Sequence, residues 1–165
     1  MLHEKDFIMR EIERIVAVIA RILGLKQHQD LDGALEVIQH SYVELFGPLG
    51  EFLAQADVGT VVQLLTDPVQ LAGLARLLRV EADLRASAGD HEAAEGIRLR
   101  ALELAIEAYK RDEHGVADAK SAVLEVSKGI SGELLSPEHG QALREIIADS
   151  ERRSKVQDSA SGGIG

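Results

Sequence analysis

Five isoleucines, Ile8, Ile12, Ile15, Ile19 and Ile22, recur alternately four and three residues apart near the start of the chain. That spacing puts all five on one face of a helix and predicts an amphipathic opening helix from about Glu4 to Leu23. Val16 and Leu23 widen the stripe past a two-position seam, so it reads as a face that docks within one domain. The same five isoleucines are the candidate interaction face if the helix instead pairs with a second copy or another protein. Should this helix cover only the edge of a bundle, Phe7 or Val18 would stay exposed for such a contact.

The rest of the chain keeps helical periodicity, and no strict two-residue alternation persists beyond a few positions. Asp30 or Asp32 can cap a second helix ending near Phe46, with Ile38, Tyr42 and Leu45 on one side. Gly47, Pro48 and Gly50 break it, and one or two short helices fill Glu51 to Leu65, with Asp57 as a cap. Asp67 before Pro68 opens a helix to about Ser87 that buries Leu71, Leu74, Leu77, Leu78 and Leu84. Gly89 stops that helix, and Asp90 caps the next, from His91 to about Arg111.

This helix has two apolar stripes, Ala94-Ile97-Ala101-Leu104-Ala108 and Leu99-Leu102-Ile106-Tyr109. An arc so wide predicts burial between two neighbours at the centre of the fold. Gly115 opens a further helix bearing Val116, Ala119, Val123, Val126 and Ile130. Ser136 and Pro137 begin the last, with Leu143, Ile146 and Ile147 facing inward. The expectation is an all-α single domain over residues 1–153, a bundle of six to eight helices, followed by a flexible polar tail over 154–165.

Composition narrows the functions. Aromatic residues make up 3% of the 165 residues and cysteine is absent, so aliphatic side chains must build the core, and thiol nucleophiles, disulfides and thiolate metal sites are excluded. The apolar run Ile15 to Leu25 is interrupted by Arg21 and is too short to span a bilayer. With no signal peptide, a cytoplasmic protein of bacterial style is expected. A net charge of −10 argues against nucleic acid, whose binders need a basic surface. From Gln27 to Ala75 there is no Lys or Arg, while Asp30, Asp32, Glu36, Glu44, Glu51, Asp57 and Asp67 fall there. That stretch is either a solvated face or a docking surface for a basic partner.

Around the Gly89-Asp90 turn, Glu92, Ala94, Ala101, Leu102 and Leu104 fall where a tetratricopeptide repeat places its helix opening and its small or apolar residues. With Leu78 and Ala82 before the turn, the hairpin over residues 75–104 resembles one such repeat. Glu81, Arg85 and Arg98 depart from it, standing where the repeat has leucine or an aromatic. A shift of one repeat length finds no second copy, so the resemblance implies a repeat-like central hairpin and not an array. The opening Asp6-Phe7-Ile8-Met9-Arg10, with Ile12 and Glu13, resembles the start of a group of small bacterial helical proteins of uncharacterised function, and this implies no catalytic residues.

The search for chemistry is brief. No Glu has His three residues later, and Glu95 stands where a zincin would need histidine after His91-Glu92, so the two-histidine grip is missing. Glu92 and Glu95, one turn apart, remain the candidate metal carboxylates; there they also complement the helix dipole. Glu36 and His40 lie one turn apart on helix 2 and read as a surface pair. His3, His28, His114 and His139 read as cap or surface residues. No cofactor is expected. The leading expectation is a non-enzymatic protein that binds another protein or itself. The alternatives are a small carboxylate- or metal-dependent hydrolase, or a ligand-sensing bundle with an enclosed apolar pocket near Tyr42, Phe46 and Phe52.

Overall fold

Short polar side chains set where most helices begin. Asp30 accepts the Gly33 amide, Asp57 the Thr60 amide, Asp67 the Val69 amide, Asp90 the Ala93 amide and Ser136 the His139 amide. Each satisfies a backbone donor that the first turn leaves without a partner. The computed structural model describes residues 2–162. In chain order the helices are α1 Leu2–Gln27, α2 Leu31–Phe46, α3 Gly50–Gln55, α4 Val58–Leu64, α5 Pro68–Ser87, α6 His91–Arg111, α7 Ala119–Val126 and α8 Pro137–Ser161. A 3₁₀ turn at Gly132–Leu134 precedes α8, and there is no strand among the described residues. The protein is an all-α bundle.

The α5–α6 hairpin is its centre. Its turn passes through Gly89 at φ +93°, which glycine adopts without a Cβ penalty. Leu71, Leu74, Leu77, Leu78 and Leu84 of α5 and Leu102, Leu104 and Ile106 of α6 are fully buried. Helix α6 packs against α5, α7, α4 and α8, as its wide apolar arc predicts. Helix α1 lies against α2 and α5 at the outside of the bundle.

Two glycines permit close approach. A Cβ on Gly50 would lie 1.9 Å from the Tyr42 carbonyl oxygen, so α3 can start against the backbone of α2 only with glycine there. A Cβ on Gly73 would lie 2.4 Å from Ile15 Cδ1, the contact that seats α1 on α5.

Three expectations are corrected. The helix expected to open at Gly115 starts at Ala119. The Asp112 carboxylate accepts the Ala117 and Ala119 amides, Gly115 takes φ +66° and Asp118 φ +51°, and this wrapped loop leaves Val116 exposed. Ile147 is also exposed instead of facing inward. The segment expected as a tail is helical to Ser161, because Ser150 to Ser161 contains no glycine or proline to stop the turn. It is polar and exposed throughout its described length, and residues 163–165 of that expected tail lie outside the described residues.

Candidate functional site

Helix α1 meets the bundle on one edge of its isoleucine stripe. Ile15 and Ile22 are buried, whereas Ile8, Ile12 and Ile19 are half-buried. Val16 and Leu23, expected to broaden the docked face, point outward and are 56% and 44% exposed, and Met9 is 50% exposed. Ridges settle against α2 and α5 along the line through Ile15, Val18 and Ile22, which rotates the other edge of the apolar arc away from the core. What remains outside is Met9, Val16 and Leu23, joined by the half-buried Ile12 and Ile19 into the row Met9-Ile12-Val16-Ile19-Leu23, with Ile19 also packed against the core. The row's alternating three- and four-residue steps are those of a coiled-coil seam. Phe7 is exposed as expected of an edge helix, whereas Val18 packs against the core.

The acidic stretch resolves into parts. Asp30, Asp57 and Asp67 are helix caps; Thr60 donates both its amide and its hydroxyl to Asp57, and these bonds hold that carboxyl below its usual range. Glu92 and Glu95 are both exposed at the start of α6. Among the described residues, no three His, Asp or Glu side chains converge as a metal would require. His40 is exposed, with Nδ1 2.9 Å from the Glu36 carbonyl oxygen.

His139 is placed otherwise than as a plain surface residue. It lies between Ser136 Oγ, 2.9 Å from Nδ1, and Glu107 Oε1, 2.8 Å from Nε2. Burial pushes the Glu107 carboxyl up, but hydrogen bonds from Arg111 and His139 and the Lys110 charge outweigh it and hold the pKa at about 2. The hydroxyl–imidazole–carboxylate row looks like a nucleophile relay. Ser136 is engaged as the cap of α8, accepting the His139 amide, so the row ties α8 to α6.

The most unusual chemistry lies between α2, α3, α5 and α6. A cleft of about 450 Å³ opens there, walled by Leu35, Ala54, Ala93 and Ile97. In its floor Glu81 is 5% exposed and accepts from Gln39 Nε2 at 2.6 Å. Arg85 Nε lies 3.7 Å from Glu81 Oε2, within ion-pair range but outside hydrogen-bond range. Arg100 donates to the Ala54 and Gln55 carbonyls, closing the C-terminal end of α3.

Two buried polar atoms of this lining, Arg85 Nε and Arg100 Nε, make no hydrogen bond among the described residues; Tyr42, buried behind the lining, faces Glu81. Burial, and then the Glu81 charge, push the Tyr42 hydroxyl well above its usual pKa, so it stays protonated. Burial lowers the pKa of Arg100, opposed by Glu81. None of Tyr42, Phe46 and Phe52, near which an enclosed apolar pocket was expected, lines this cleft; it is open to one side and has charged groups in its floor, and Phe52 is exposed.

Of the residues around this cleft, the sequence points to Tyr42 alone, as the flank of an apolar pocket, and not to Gln39, Glu81, Arg85 or Arg100. The signal was there: Glu81 sits four residues after Leu77 and three before Leu84, on a buried arc, and Glu81 and Arg85 are the departures from the repeat pattern. Comparison with known proteins matched this chain to no family model, no curated protein and no solved structure. No helix of the described residues is long and apolar enough to cross a membrane.

Proposed function

We propose that the protein acts by self-association through the outward face of α1, pairing with a second copy of the chain around the row Met9-Ile12-Val16-Ile19-Leu23. The observation that carries this is the exposure of Met9, Val16 and Leu23, spaced seven residues apart on one helix. Three large apolar side chains at heptad spacing shed their unfavourable hydration only if something covers them.

Charge selects the partner and its direction. The first half of α1 holds Glu4, Asp6, Glu11 and Glu13 against Lys5, Arg10 and Arg14; the second half holds Arg21 and Lys26 and no acid. Two α1 helices laid antiparallel set each acidic half beside a basic half. The row is centred on Val16, so the same arrangement sets Met9 of one copy against Leu23 of the other, the self-complementarity that a two-fold interface requires. The nearly balanced charge of α1 also spares this face most of the repulsion that the rest of a chain of net charge −10 would bring.

The test is light scattering on the purified chain. A species of twice the chain mass, reduced to the monomer mass by Val16→Glu with helicity retained, is the expected result. A wild-type monomer at concentrations up to about 100 μM overturns the proposal.

A further inference from the structure

We infer that the groove between the start of α1, the start of α5 and the α6–α7 loop docks a short segment of a partner protein in which Lys or Arg flanks an apolar residue. The groove encloses about 370 Å³, and its walls are apolar: Phe7 and Ile8 of α1, Pro68 and Val69 of α5, and Val116 of the loop. Phe7 is 63% and Val116 47% exposed, so the chain itself leaves this apolar surface uncovered. The loop wall is also held in place. Both oxygens of Asp112 accept loop amides, those of Ala117 and Ala119, and this wrap turns Val116 outward.

Charge selects the occupant. The lining includes Glu4, Asp67 and Asp112 and no Lys or Arg, and Glu113 and Asp118 adjoin it in the loop. Among the described residues, none of these five carboxylates is in a salt bridge. The nearby cations are engaged elsewhere. Arg76, beside Ala117, pairs with Glu125. Lys110, Arg111 and Lys120, which flank the loop in the chain, pair with Glu107, Glu138 and Asp149. Lys5, next to Glu4, is then the one cation set against the five acids.

The acids do not converge as a metal would require, and Asp67 and Asp112 keep oxygens on backbone amides. They therefore act as a negative rim around an apolar contact, and a cationic side chain laid on the exposed Phe7 ring gains the ring face as well. Anionic lipid, nucleic acid and the same acidic end of a second copy are all repelled. Phe7 and Val16 are nine residues apart, about 180° around α1, so this groove and the apolar row are different faces of that helix.

Amide-resolved NMR titrations of the full chain test this with three end-capped tetrapeptides, Lys-Leu-Phe-Lys, Glu-Leu-Phe-Glu and Lys-Gly-Ser-Lys. The first is expected to shift the Ile8, Val69, Val116 and Ala117 amides saturably, and the other two to bind at least about ten-fold more weakly. Phe7→Ser, with its amide spectrum otherwise retained, should weaken the first peptide about five-fold. Val16→Glu should leave its affinity unchanged, because the apolar row is not the site. Equal affinity for the acidic peptide means that charge does not select, and equal affinity for Lys-Gly-Ser-Lys means that the apolar walls do not. Either result overturns the inference, as do shifts centred on another face, loss of binding in Val16→Glu, or no saturable shift up to about 10 mM.

Discussion

Ile15 and Val16 are adjacent in the chain and opposite in surroundings, one pressed onto Gly73 of α5 and the other facing solvent. A charge at the first position must be buried without a partner, so Ile15→Asp is expected to abolish the cooperative melt. At the second it costs little, and Val16→Glu should change unfolding free energy by no more than about 0.5 kcal/mol per folded chain. Chemical denaturation of both variants at low protein concentration checks the pair. Gly50 makes the same point through backbone. Because an added Cβ meets the Tyr42 carbonyl and not a flexible side-chain end, Gly50→Ala should destabilise by about 3 kcal/mol. It should also disturb the amide signals of Tyr42 and Gln39 more than those of α8. A loss below about 1 kcal/mol would mean that α3 does not approach α2 so closely.

At the scale of elements, arginines of the central hairpin finish the helices around it. Arg79 of α5 donates to the Val126 and Lys128 carbonyls at the end of α7, at 2.7 and 2.6 Å, and pairs with Asp83. Arg98 of α6 reaches the same Asp83 at 3.0 Å, which gives a role to one departure from the repeat pattern. Removing the cap leaves two carbonyls short of a charged donor, so Arg79→Ala should cost about 2 kcal/mol in a urea melt.

The α6–α8 tie adds a pH term. Glu107 titrates lower in the folded protein than in the unfolded chain, so its contribution is full above the ordinary glutamate range and is lost as pH falls from about 4.5 towards 2. Denaturation midpoints measured across that window should fall less steeply for Glu107→Gln than for the wild type. A slope unchanged by the substitution would remove Glu107 from this role.

The elements themselves were legible because their signals are local. Asp30, Asp57, Asp67, Asp90 and Ser136 sit at the caps that their side chains predict, and the Pro68–Ser87 and His91–Arg111 boundaries follow from Pro68 and Gly89. Which edge of α1 docks was not legible, since periodicity fixes a face to within its arc and only the surfaces of α2 and α5 choose between Ile15 and Val16. The cleft was hidden for a similar reason. Glu81 on an apolar arc announces a buried charge, and Arg85 follows it by one turn, but Gln39 and Arg100 come from α2 and α6, which no spacing relates to it.

Taken whole, the molecule carries two unlike surfaces. A half-exposed apolar row lies along α1, and a cleft lined by Glu36, Glu81, Arg85 and Arg100 lies between α2, α3, α5 and α6. Pairing through this row would cover the part of the apolar circumference of α1 that α2 and α5 leave exposed. The central claim is that two chains meet antiparallel about Val16. Since the chain has no cysteine, an introduced thiol is unique, and oxidative cross-linking reads the arrangement directly. In an antiparallel pair centred there, copies of residue 16 are in contact, while the two copies of residue 9 are about 21 Å apart along the helices. Val16→Cys should therefore form a disulfide-linked dimer. Met9→Cys and Leu23→Cys should each form no cross-link alone and should cross-link when mixed. Efficient self-cross-linking at residues 9 and 23 as well as 16 would mean a parallel pair, and no cross-linking at any of them would mean that this face does not pair at all; either result contradicts the account.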